Sequence, residues 1–148
     1  DPNADPKRTT PAPGDTRILV TRQNDKPFVM IYRPKVKGFT GTPIVLTSPT
    51  GKESFDSIEP TDRVGLKYAP TPEGYSAIVT IPRDLIGLQL APGAQVRMDV
   101  GVIYGNETGN TESSRSYWAN NSFNANVTYD VPDESRLEPA QWGTATVE

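Results

Sequence analysis

Apolar positions in this chain recur at every second residue over short stretches, the spacing of β-strands with one face turned to a core. Thr16–Arg22 is a β-branched run that reads as a strand, and Asn24-Asp25 reads as the turn that ends it. In Pro27–Arg33, Phe28, Met30 and Tyr32 share one face while Val29 and Ile31 share the other. The two runs predict a hairpin whose second strand is at least partly covered on both sides. Pro43–Thr47 is a shorter strand, stopped by the turn sequence Ser48-Pro49-Thr50-Gly51. Lys52 to Asp62 is polar, with Phe55 and Ile58 as its anchors to a core. Val64, Leu66 and Tyr68 alternate with Gly65 and Lys67, Pro70–Gly74 turns the chain, and Tyr75–Ile81 returns as the partner of a second hairpin. Pro82–Leu90 predicts one short helical turn with Pro82 at its first position and Leu85, Ile86 and Leu88 packed inward. The longest alternation is Gln95–Tyr104, with Val96, Met98, Val100, Val102 and Tyr104 on one face of a single strand. Gly105 to Tyr117 reads as a long polar loop, a functional candidate by its length. Gln141–Val147 reads as the last strand.

About seven strands with turn signals between them, no long helix and no repeat predict an all-β fold, an antiparallel sandwich. A length of 148 residues fits one domain with one core. The first 14 residues hold four prolines and no apolar period, so they read as an irregular arm before a single domain over residues 15–148. Fifteen prolines and twelve glycines fit a fold of turns and short strands.

A formal net charge of −3 with scattered basic residues gives no electrostatic reason to expect nucleic acid. No apolar run approaches the roughly 18 residues that cross a bilayer as a helix. The chain has no Cys and no His, which removes disulfides, thiol chemistry, Ser-His-Asp catalysis and His-ligated metals. Both methionines then read as core filler. The first residue is Asp1, so the expectation is a processing site or a start inside a longer sequence.

Gly74–Arg83 (GYSAIVTIPR), Pro92–Tyr104 (PGAQVRMDVGVIY), Arg115–Asn121 (RSYWANN) and Pro139–Gly143 (PAQWG) together, in this order, resemble the family 9 carbohydrate-binding modules, within the DOMON-like sandwiches. The resemblance covers Tyr68–Val147 and implies an immunoglobulin-like or jelly-roll-like sandwich in which aromatic side chains clamp a sugar and bound calcium is structural. The strands that open the family, with their Trp and acidic pair, have no counterpart before Thr16. The resemblance therefore implies a domain without its first strands, whose open sheet edge another segment of a longer parent chain would complete. It also implies a non-catalytic accessory domain of an exported polysaccharide-processing protein, placed extracellularly, in the periplasm or on the cell surface.

A sugar site needs an exposed aromatic ring to meet axial C–H groups and planar polar groups around it to meet hydroxyls. Arg115, Tyr117, Trp118, Asn120 and Asn121 supply such a set within seven residues, and Trp142 is a candidate second ring. The alternative is structural: Trp118 and Trp142 pack into the core, and Arg115 pairs with a carboxylate such as Glu112. On an extended segment Tyr117 and Trp118 face opposite ways, so one of them belongs to the core. Asn106, Glu107 and Asn110 offer oxygen ligands of the type calcium takes, as does the cluster Asp130, Asp133 and Glu134, but neither has the spacing of an EF-hand. No cofactor is required. Asp99 with Glu107 or Glu112 is a carboxylate pair of the kind glycosidases use, and eighteen acidic residues produce such pairs by chance. The chain therefore reads as a binding module or, failing that, as a structural or adhesive scaffold.

Overall fold

The computed structural model describes residues 5–24, 26–49, 51–88, 90–108, 110–121 and 131–148. Among these the protein is all-β: eleven short strands in antiparallel pairs, one helical turn at Val131–Ser135 (α1) and two 3₁₀ turns at Arg83–Ile86 and Pro139–Gln141. By packing, the chain divides into two compact units. One comprises Pro13–Ile44 and Ser54–Leu90; the other comprises Asp1–Ala12, Val45–Glu53 and Ala91–Glu148.

The first unit is built on a three-stranded sheet in the order β1 (Arg17–Gln23), β2 (Lys26–Arg33), β5 (Ser57–Pro60). Gln23 pairs with Lys26, so β1 and β2 are joined by two residues. Asn24 there adopts φ +51, the left-handed conformation that primed hairpin turns require and Asn tolerates. The period-2 pattern of β2 resolves into an inner face, with Val29 and Ile31 buried, and an outer face on which Phe28 is exposed. Phe55 and Val64 complete this core, and the ring of Phe55 meets Tyr32 edge-on at 5.6 Å. Burying side chains of this size contributes about 1.5–3 kcal/mol each. Arg83–Ile86 is the short helical turn after Pro82, closed by Gly87 at φ +65. Strands β6 (Gly65–Thr71) and β7 (Gly74–Thr80) form a separate two-stranded ribbon, paired from Gly65↔Thr80 to Thr71↔Gly74.

The second unit contains two ribbons. β8 (Gln95–Met98) pairs with β11 (Gly143–Thr146), and β9 (Gly101–Gly105) pairs with β10 (Glu112–Tyr117). The remaining ribbon joins β3 (Ile44–Thr47) to β4 (Lys52–Phe55). Among the described residues, Leu137, Pro132 and Pro139 are the buried apolar side chains around α1 and the second 3₁₀ turn.

Three expectations change. The alternation Gln95–Tyr104 does not form one strand, because it breaks at Asp99-Val100 and its halves pair with different partners. The polar stretch Gly105–Tyr117 is a loop only from Asn106 to Thr111, and Glu112–Tyr117 is strand β10 despite its polar sequence. The polar stretch after Gly51 likewise forms β4 and β5. β10 in particular belongs to a two-stranded ribbon with backbone pairing but little apolar cover, so hydrophobic periodicity does not mark it.

Candidate functional site

Asp99 interrupts the β8–β9 path, and its carboxylate explains why. Oδ1 accepts the backbone N–H groups of Val100 at 2.9 Å and Ala119 at 2.8 Å, and Oδ2 accepts that of Asn120 at 3.2 Å. The carbonyl of Val100 accepts the N–H of Trp118 at 2.8 Å. The segment leaving β10 is therefore tied by its backbone to the β8–β9 bend, and a carboxylate accepting several N–H groups is a stronger clamp than a neutral acceptor.

Each aromatic residue of this segment rests on a glycine. Tyr117 pairs across the ribbon with Gly101, and a Cβ on Gly101 would come within 2.6 Å of Tyr117 Cε1. A Cβ on Gly143, the first residue of β11, would come within 2.8 Å of Trp118 Cζ3 and 2.9 Å of Ala119 Cβ. Only glycine lets the two rings lie this close to the strands, the device by which an aromatic side chain covers a bare backbone. Tyr117 is half-buried, whereas Trp118 keeps 56% of its surface exposed. Of the two rings, Trp118 is the one that offers a platform to solvent.

The polar residues of the candidate set divide. Asn121, three residues after Trp118, is exposed, and Asn120 donates from Nδ2 to Glu138 Oε2 at 2.9 Å. Arg115 points into the unit with only 5% of its side chain exposed. It donates from Nη2 to Glu112 Oε2 at 2.5 Å and pairs with Glu134 at 2.7 Å, with a further contact from Nε to Glu112. Hydrogen bonding to Glu112 raises the Arg115 pKa still further above its ordinary value. Glu134 behaves differently: burial raises its pKa, Arg115 lowers it, and the neighbouring Glu112 raises it again. One guanidinium is shared by two carboxylates, and Glu112 holds the better geometry. Arg115 thus braces β10 to α1 and is not on the rim of the Trp118 platform.

Trp142 is half-buried, with the Arg8 guanidinium 5.6 Å from its ring centroid. Among the described residues, the cation supplies its stacking partner. In the β9–β10 loop, Asn106 Oδ1 accepts from the N–H of Asn110 at 3.1 Å and from Thr108 Oγ1 at 3.0 Å, while Asn106 Nδ2 donates to Asn110 Oδ1 at 3.0 Å. The loop's amide oxygens are spent on its own donors, so this arrangement does not fit a calcium cage, which needs six or more oxygens turned inward. Asp133 pairs with Arg136 at 2.8 Å, Glu134 with Arg115, and Asp130 lies outside the described residues. No group of three acidic, His or Cys side chains able to hold a metal occurs among the described residues. No helix among them is long and apolar enough to cross a membrane. Two positions that shape this candidate site escaped the sequence reading, Asp99 as the clamp and Gly143 as the seat of Trp118. Their one signal is an Asp and a Gly placed where a regular strand wants neither.

No protein-family model, curated protein or solved structure matches the chain.

Proposed function

We propose that this protein is a non-catalytic glycan-binding module, exported with the longer polysaccharide-processing chain to which it belongs, and that Trp118 is its stacking platform. The observation that carries the reading is a Trp ring 56% exposed, seated on Gly143, on a backbone held by Asp99. An exposed indole at a fixed orientation is what a pyranose C–H face requires, and fixing it beforehand removes part of the ordering cost of binding. Asn121, exposed three residues after Trp118, is a candidate amide for the sugar's hydroxyl groups. The carboxylates of Asp99 and Glu138 flank the same segment and disfavour uronate-rich chains, so the ligand is a neutral glycan. The reading is non-catalytic because Asp99, Glu112, Glu134 and Glu138 each already hold a backbone group or a polar side chain, a structural use that argues against their serving as a glycosidase's acid and base.

A glycan array followed by titration calorimetry tests this. Trp118→Ala is expected to weaken binding at least ~10-fold, the equivalent of about 1.4 kcal/mol, and Asn121→Ala to weaken it less. Failure of the intact chain to bind any neutral glycan, or binding indifferent to Trp118→Ala, refutes the proposal. The internal use of Arg115 and Tyr117 favours a second reading, a structural or adhesive scaffold, and the first of those outcomes would select it.

A further inference from the structure

The β6–β7 ribbon presents an unusual edge. All seven residues of β7 are exposed, and its only hydrogen-bonded neighbour among the described strands is β6. Edge strands are normally blunted by a charge, a proline or a bulge. β6 carries two of these devices, Lys67 and Pro70, on its own edge, whereas Gly74–Thr80 (GYSAIVT) carries none and pairs with β6 in unbroken register. The pairing also sorts the ribbon's side chains. Leu66, Tyr68 and Pro70 lie opposite Val79, Ala77 and Tyr75, so six apolar residues share one face, and the rings of Tyr68 and Tyr75 lie 5.3 Å apart.

We infer that β7 is a self-pairing edge, and that its partner is β7 of a second copy of this chain in antiparallel register about a two-fold axis through Ala77. That register places Tyr75 opposite Val79 of the partner copy, Ser76 opposite Ile78, and Ala77 opposite itself. Aromatic against β-branched is a favourable cross-strand pair, and an uncharged strand meets its copy without like charges in opposition. All seven residues pair, and the apolar faces of two ribbons join into one face of a four-stranded sheet. The same sequence therefore supplies both the open edge and a strand that satisfies it. A cationic or proline-bearing partner strand would lack this complementarity.

Because the chain has no cysteine, a single introduced one reports on the axis. The intact protein is expected to show a concentration-dependent dimer by light scattering. Ala77→Cys, labelled with pyrene, is expected to give excimer emission that Tyr75→Cys, two residues off the axis, gives only weakly. Ile78→Lys is expected to return the protein to monomer with an unchanged far-ultraviolet spectrum. A protein monomeric at every soluble concentration overturns the inference and leaves β7 to a strand from another polypeptide. A dimer that survives Ile78→Lys, or stronger excimer at position 75 than at 77, overturns it as well. If Ala77→Cys fails to fold, hydrogen exchange of β7 amides in the unmodified chain decides: protection that does not rise with protein concentration is equally fatal.

Discussion

Gly143→Ala separates the orientation of the Trp118 ring from its mere presence. The new methyl group would lie 2.8 Å from Cζ3 and 2.9 Å from Cη2 of Trp118, and 2.9 Å from Ala119 Cβ. These contacts differ in how they yield. The indole is a half-exposed side chain and can swing outward, whereas Ala119 Cβ is fixed to a backbone that Asp99 holds by its N–H. Overpacking a filled site costs about 1–3 kcal/mol. The ring's escape to solvent puts Gly143→Ala at the lower end, near 1 kcal/mol, or a fall in Tm of about 2–4 °C for a chain this size. The loss in glycan affinity should be larger, approaching that of Trp118→Ala, because the ring remains but is no longer seated. Calorimetric melting and glycan titration measure the two effects, and indole fluorescence in a Trp142→Phe background reports the displaced ring. Retention of full affinity, or an emission maximum unchanged from the parent, would refute the argument that Gly143 positions the platform.

Asp99→Asn exchanges a charged acceptor for a neutral one at three backbone N–H groups, and should cost about 1–3 kcal/mol in urea unfolding, with Asp99→Ala at least as damaging. Arg115→Met leaves Glu112 and Glu134 facing each other without their cation and should destabilise by about 3–5 kcal/mol in the same assay. Glu134→Gln should change stability at neutral pH by ~1 kcal/mol or less, and toward greater stability. The sign follows from its raised folded-state pKa: ionised Glu134 costs stability above that pKa, and the cost disappears as pH falls to the unfolded value. The advantage of the variant should therefore shrink on acidification through that window, and a variant clearly less stable at neutral pH would contradict it. Trp118→Ala itself should leave Tm nearly unchanged, since the side chain is mostly exposed; a large fall would mean that the ring is structural.

The alternation in Pro27–Arg33 was legible because it has a core to answer to: Val29 and Ile31 are buried, and Asn24 marks the turn before them. The anchoring role of Phe55 was legible for the same reason. Strand β10 was not, since Glu112-Ser-Ser-Arg-Ser-Tyr holds its place by backbone pairing, with Arg115 turned inward to Glu112 and Glu134, neither of which leaves a periodic trace. At the site, residue type pointed to Trp118 and its neighbours, but the division of labour among them came from elsewhere in the chain. Glu112 and Glu134 draw Arg115 inward, Gly101 receives Tyr117, and Gly143 receives Trp118. Those partners stand at separations that a local pattern does not encode.

The seat of Trp118 also gives the site a place in the order of folding. β9 and β10 are joined by a six-residue loop, Asn106 to Thr111, and a hairpin of that kind closes in about 1–10 μs. Gly143 arrives only when β11 reaches β8 across some forty residues of intervening chain, a later and entropically dearer closure. Until then Asp99 has its backbone partners within reach but the indole has nothing beneath it. On the proposed reading, binding competence would then be a property of the completed second unit, and a nascent or partly unfolded chain would carry the aromatic residue without its seat.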